Sequence, residues 1–152
     1  MSTMKKGQLL CEMLQCVSDG HNGQFDRAGK PYVLHPLRVM HYLQSDDEEL
    51  QCIALGHDLI EDTSYTADIL RRLHFTERIV RGIECLSKQK GQSYEDYQKQ
   101  VYGSRDAMLV KLADLKDNMD LTRLKHITND DFVRIRKYHY FSQAIQARLG
   151  LL

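Results

Sequence analysis

Apolar residues recur along this chain at three- and four-residue intervals, and no stretch sustains the two-residue alternation of a half-buried strand. Leu9, Leu10, Met13, Leu14 and Val17 form one face of a helix expected over residues 4–18. A polar loop follows from Asp19 to Lys30, and Pro31 suits the first turn of a helix ending near Leu43. Ser45-Asp46-Asp47-Glu48 reads as a capping box opening the helix that carries His57. Thr66 is expected to cap a short helix to Leu73, and Thr76 another to about Leu86. Ser93 caps a helix over Tyr94–Val101, Ser104 one running through Leu124, and Thr128 or Asn129 one from about Asp131 to Leu149. The pattern predicts an all-α fold: one compact bundle of seven to eight helices with short connections, forming a single domain over residues 1–152.

Length and charge narrow the function. A chain of 152 residues is one domain able to bury ~70% of its unfolded surface. Lys+Arg and Asp+Glu both number 21, so no global field favours nucleic acid or anionic lipid, although a local basic pocket is compatible with that balance. The segment after Met1-Ser2-Thr3-Met4-Lys5-Lys6 is broken by Glu12 and Gln15, so no signal peptide is expected. No window approaches a transmembrane span. Cys11, Cys16, Cys52 and Cys85 lack CxxC spacing and sit in apolar runs, as thiols in a reducing cytoplasm do. A cysteine-based zinc site is not expected.

Candidate chemistry concentrates in His57-Asp58-Leu59-Ile60-Glu61-Asp62-Thr63. On a continuous helix, His57, Asp58, Glu61 and Asp62 share one face. Three carboxylates at a helix C-terminus oppose the macrodipole by ~0.3–1 kcal/mol each, and a bound divalent cation would offset that. The plainer alternative is a solvated acidic helix end. His35 lies on an amphipathic stretch where a histidine is commonly a packed core residue. Asp114 interrupts the apolar run from Met108 to Leu115 and needs a partner if buried; Lys111, three residues earlier, is the simplest one. Jointly, His35, His57, Asp58 and Asp114 make a mixed nitrogen and oxygen shell suited to Mn²⁺, Fe²⁺ or Mg²⁺, and to Zn²⁺ less selectively.

Three blocks carry a further resemblance. They are His21-Asn22-Gly23-Gln24 with Gly29-Lys30-Pro31-Tyr32-Val33-Leu34-His35-Pro36, then Ala54-Leu55-Gly56-His57-Asp58-Leu59-Ile60-Glu61-Asp62-Thr63, then Val110-Lys111-Leu112-Ala113-Asp114-Leu115-Lys116-Asp117-Asn118-Met119. In order and spacing the chain resembles the HD-domain metal phosphohydrolases, signature H…HD…D, and most closely the RelA/SpoT-type (p)ppGpp hydrolase domain and the small alarmone hydrolases. The resemblance implies that His35, His57, Asp58 and Asp114 ligate one metal, usually Mn²⁺, with Fe²⁺ or Mg²⁺ as alternatives. It implies that Glu61 and Asp62 act as the catalytic pair beside the reacting phosphate, and that Asn118 contacts substrate; Arg27 and Lys111 join Asn118 as candidate substrate-binding residues. The implied partner is a phosphorylated nucleotide, with no nucleic acid and no membrane.

The chain departs from that pattern at Asp26, where the alarmone hydrolases usually carry a guanine-flanking arginine, and at Asp120, where an arginine often follows the Asn-Met pair. An altered nucleoside pocket and weak base discrimination are the expectation. Three readings follow: a metal-dependent nucleotide (pyro)phosphohydrolase resembling guanosine-3′,5′-bis(diphosphate) 3′-pyrophosphohydrolase, a phosphatase of another nucleotide or of NADPH, and a metal- and nucleotide-binding sensor without turnover. His21 and Lys30 are candidates for the pocket mouth, His41 is expected on the outer face of its helix, and Tyr94, Tyr97 and Tyr138-His139-Tyr140 are expected to serve helix packing.

Overall fold

The computed structural model describes residues 4–152; residues 1–3, which begin the segment expected to lack a signal sequence, lie outside the described residues. Nine helices are present among the described residues: α1 Gln8–Gly20, α2 Leu34–Leu43, α3 Glu48–Gly56, α4 Leu59–Asp62, α5 Ala67–Arg72, α6 Glu77–Cys85, α7 Tyr94–Tyr102, α8 Arg105–Asn118 and α9 Asn129–Arg148. Eight are full helices and α4 is a single turn, in keeping with the predicted all-α bundle. No described helix is long and apolar enough to cross a membrane.

Side-chain caps set most helix starts. Thr66, Thr76, Ser93, Ser104 and Thr128 each accept a hydrogen bond from the backbone N–H three residues ahead, as their sequence positions predict. The cap of α3 is Asp47 rather than Ser45, whose hydroxyl instead accepts from the Asp47 N–H. Pro31 does not open α2. It faces Phe25 in an isolated antiparallel bridge, and the helix begins three residues later, so residues 24–32 form a tight polar hairpin-like loop. Helix α8 stops at Asn118 rather than at Leu124, because Asp120 turns the chain by accepting from the Thr122 N–H and from Arg123.

Helix α3 runs through the middle of the bundle and packs against α1, α2, α6 and α8. Leu50, Cys52, Ile53, Ala54, Leu55 and Gly56 are all buried. Two glycines allow α3 and α6 to approach closely. A Cβ on Gly56 would lie 2.6 Å from Ile83 Cδ1, and one on Gly82 would lie 2.5 Å from Ile53 Cδ1. At the other end of the core, Phe141 of α9 packs edge-on against Tyr94, Tyr97 and Tyr102 of α7, so Tyr94 and Tyr97 serve packing as expected, whereas Tyr138 lines a cleft and Tyr140 is exposed.

Candidate active site

The expected single helix through His57 to Asp62 is broken. His57 Nδ1 donates to Ala54 O at 2.7 Å, taking the carbonyl that a continued helix would offer to the Asp58 N–H. Asp58 then adopts φ −101°, ψ −1°, and α4 starts afresh at Leu59. Glu61 and Asp62 therefore belong to a separate turn, and the argument from an opposed macrodipole of α3 does not apply to them. The break swings His57 and Asp58 together toward α2 and α8.

Those two helices supply the other ligand candidates. His35 sits in the first turn of α2 and Asp114 in the last turns of α8, and both are buried. His35 Nε2 lies 3.3 Å from His57 Nε2, 3.0 Å from Asp114 Oδ1 and 3.6 Å from Asp58 Oδ2. His57 Nε2 lies 3.0 Å from Asp58 Oδ2 and 3.4 Å from Asp114 Oδ1. Ligand atoms around an ion with bonds of ~2.1 Å stand ~3.0 Å apart at right angles and ~3.4 Å apart at tetrahedral angles, so this spacing fits a small divalent cation.

The tautomers point the same way. His35 Nδ1 is 2.7 Å from Asp117 Oδ2 and His57 Nδ1 is bound to a backbone carbonyl, so in each neutral ring the proton is on Nδ1 and the Nε2 lone pair is free. Two such lone pairs converge with two carboxylates on one buried spot. In the metal-free chain, burial works against charge on His57, but Asp58 and Asp114 outweigh it and raise the ring's pKa well above the usual histidine value. Burial likewise opposes ionisation of Asp114, while Lys111 and His57 overcome it and hold the carboxyl well below the usual range.

The surroundings fix the ligands. Tyr32 donates its hydroxyl to Asp58 Oδ2 at 2.5 Å. Lys111 Nζ donates to Asp114 Oδ2 at 2.7 Å and lies over the Tyr97 ring, while Asn118 Nδ2 donates to Asp114 Oδ1 at 2.9 Å. Lys111 is therefore paired with Asp114, as the plain salt-bridge reading has it, whereas Asn118 also lines the neighbouring cleft. Glu61 and Asp62 are exposed beside the cluster. Each can offer an oxygen within 4.8 Å of Asp58 and of the other, and Glu61 Oε1 accepts from the Lys88 N–H at 2.8 Å. Partial burial and then the charge of Asp58 raise both carboxyl pKa values.

His21, a candidate for the pocket mouth, is buried and is not among the residues that line the cleft; its Nδ1 lies 2.8 Å from Gln24 Oε1 and its ring 5.0 Å from that of Tyr32. Its Nε2 has no hydrogen-bond partner. His41 is exposed, as expected, and Lys30 is exposed in the loop.

A cleft of about 230 Å³ opens beside the cluster, lined by Arg27, Arg38, Arg123 and Arg134 together with Phe25, Tyr138, Leu124 and Asn118. Asp26 and Asp120 line it too, and both are held in place. Asp26 Oδ1 accepts from the Ala28 and Lys30 N–H groups, and Asp120 pairs with Arg123 at 3.1 Å. Neither position carries a cation, as the sequence dictates, while Arg27, Arg38, Arg123 and Arg134 line the same cleft. Arg38, Asp117, Arg123, Arg134 and Tyr32 were not singled out from the sequence. Arg38 lies three residues after His35 on α2 and Asp117 three after Asp114 on α8, so helical spacing from the candidate ligands is the signal that could have found those two; Tyr32, Arg123 and Arg134 carry no such signal.

No family model matches the chain. A guanosine-3′,5′-bis(diphosphate) 3′-pyrophosphohydrolase of Haemophilus influenzae is 36% identical over 113 residues, 66% of this chain but 17% of that protein. A GTP pyrophosphokinase of Myxococcus xanthus is 34% identical over 130 residues, covering 76% of this chain and 17% of its own length. The chain thus spans about a sixth of these relatives. The guanosine-3′,5′-bis(diphosphate) 3′-pyrophosphohydrolase MESH1 of Danio rerio is 30% identical over 154 aligned positions, covering 94% of this chain and 84% of that protein. The fold matches a solved structure described as a metazoan ortholog of SpoT that hydrolyzes ppGpp, with a TM-score of 0.71 at 23% identity over 99% of this chain and 100% of that one. With a relative of its own size matched nearly end to end and an HD cluster assembled from three helical segments, the chain belongs to the RelA/SpoT-type (p)ppGpp hydrolase family of HD-domain proteins.

Proposed function

We propose that this protein is a Mn²⁺-dependent nucleotide pyrophosphohydrolase that removes the 3′-pyrophosphate of (p)ppGpp or a close relative, with Fe²⁺ or Mg²⁺ as alternative ions. One observation carries the reading: the Nε2 lone pairs of His35 and His57 and the carboxylates of Asp58 and Asp114 converge on one buried point. The names of its relatives support the substrate class. In that family setting a divalent cation supplies Lewis acidity, acidifying water and offsetting charge on the phosphoryl oxygens.

The chain's own residues do the rest. Asp58 and Asp114 hold negative charge at the cluster, the first restrained by Tyr32 and the second by Lys111 and Asn118. Glu61 and Asp62, whose carboxyl pKa values are raised by partial burial and by the charge of Asp58, stand on the open side of the cluster: one orients the attacking water and the other protonates the leaving oxygen. The cleft takes the nucleoside, with guanidinium planes and the Phe25 and Tyr138 rings offering flat faces and donors. Arg27 and Asn118 contact substrate there, and Lys111 acts from behind Asp114. Four cysteines free of disulfides suit a cytoplasmic enzyme.

The test is turnover by purified protein with Mn²⁺ on ppGpp, pppGpp, dNTPs, NADPH and nucleoside monophosphates, reading phosphate and pyrophosphate separately. Pyrophosphate release from ppGpp and pppGpp is expected. Phosphate release from NADPH or monophosphates with none from ppGpp would establish the phosphatase reading instead. Binding of metal and nucleotide without any product would establish the sensor.

A further inference from the structure

The two histidines of the cluster are oriented by different acceptors. His57 leans on a backbone carbonyl of its own helix, Ala54 O. His35 leans on a side chain from another helix, Asp117 Oδ2 at 2.7 Å. Asp117 is itself buried, 1% exposed, and is no member of the converging donor set.

Five hydrogen bonds meet on its two oxygens. Oδ2 accepts from His35 Nδ1, from Arg38 Nη2 at 3.0 Å and from Arg123 Nη2 at 3.5 Å; Oδ1 accepts from Arg38 Nε at 2.7 Å and from Arg123 Nη1 at 3.3 Å. Arg38 grips the carboxylate with two donors of its fork, a geometry that fixes the plane of the group. Arg123 adds Nη2 to Asp117 O at 3.2 Å, closing the end of α8 onto the same point. Both arginines reach the cleft, and both are partly exposed there.

We propose that Asp117, clamped by Arg38 and Arg123, is a positioning residue that holds His35 in the Nδ1-protonated tautomer with Nε2 aimed at the metal. The chemistry requires a carboxylate. An amide of the same size has one accepting oxygen and one donating nitrogen. Either that nitrogen faces the Arg38 fork, donor against donor, or it faces His35 and drives the ring to the tautomer whose proton points into the site. A partner of this kind is worth ~10–100-fold in metal affinity. The proposal rests on the metal reading of the cluster.

The experiment is Mn²⁺ titration by calorimetry of the wild-type protein and of Asp117→Asn, Asp117→Ala, Arg38→Met and Asp106→Asn, with metal-free folding of each followed by circular dichroism. Asp106, in the first turn of α8, pairs with Arg78 and belongs neither to the clamp nor to the cleft, so Asp106→Asn controls for loss of an ion-paired charge on the same helix. A loss of ~10–100-fold is expected in both Asp117 variants, a smaller loss in Arg38→Met, and wild-type affinity in Asp106→Asn. Imidazole ¹⁵N shifts of the metal-free protein at alkaline pH give the second readout, with His35 protonated on Nδ1 in wild type and shifted toward Nε2 protonation in Asp117→Asn. Should the Asp117 variants fail to fold, Arg38→Met, which leaves the His35 acceptor in place, decides: affinity equal to wild type overturns the clamp. Folded Asp117 variants that bind Mn²⁺ like wild type overturn the proposal while leaving the metal site standing. A wild-type protein that binds no divalent cation overturns the metal reading itself.

Discussion

At the residue scale, each member of the cluster has a separable effect. Asp58→Ala and Asp114→Ala each remove a proposed ligand and leave two imidazoles with one carboxylate, so metal content by elemental analysis should fall to background in both. Glu61→Gln and Asp62→Asn act differently, because neither side chain is needed by the four-ligand set. Each should retain metal while turnover slows ~10²-fold or more, the usual size of an acid–base contribution. Asp117 adds a pH signature to the metal-free protein. Burial works against its charge, yet His35 and Arg38 outweigh that and hold its pKa at about 2, against an ordinary value of 3.8. A depressed pKa means the ion pair's stabilisation is complete above the ordinary value and disappears as pH falls through the depressed one. Urea melts of wild type and Asp117→Asn should therefore differ most near neutrality and converge between pH 4 and 2. A gap that stays constant across that window would show that the charge of Asp117 contributes nothing.

At the element scale, the site depends on how α3 and α8 are placed. Gly56 ends α3 where α6 and α1 press closest, so Gly56→Ala forces Ile83 and Met13 to shift. Overpacking of this kind costs ~1–3 kcal/mol, measurable as a lower denaturation midpoint at unchanged slope. Ser104 is remote from the chemistry but starts the helix that carries Asp114 and Asp117, its hydroxyl accepting from the Ala107 N–H. Ser104→Ala should cost ~1 kcal/mol of stability and leave metal affinity intact, since the far end of α8 is tied down by Asp117 and its arginines.

For the whole molecule, the cluster joins α2, the α3–α4 break and α8, three segments distant in sequence. A cation bound there stabilises only the folded chain, by ~2.7 kcal/mol at a hundredfold excess over its Kd. Thermal melts should rise with Mn²⁺ in wild type and stay flat in Asp114→Ala, and a parallel rise in that variant would locate binding elsewhere.

Helical period and capping residues were enough to read the bundle and six of its helix starts to within a residue or two, because both are local properties of the chain. The order His35, His57-Asp58, Asp114 was enough to pick out four groups that the fold brings together, since their chemistry is written in residue type. What local pattern could not reveal was the break at His57, where a side chain captures the carbonyl its own helix needs. Nor could it reveal that His21 is buried, or that Asp117 serves His35 across 82 positions of sequence. Those outcomes rest on which partners meet when α2, α3 and α8 pack, and a hydrogen bond between distant residues has no signature until the packing has chosen its two ends.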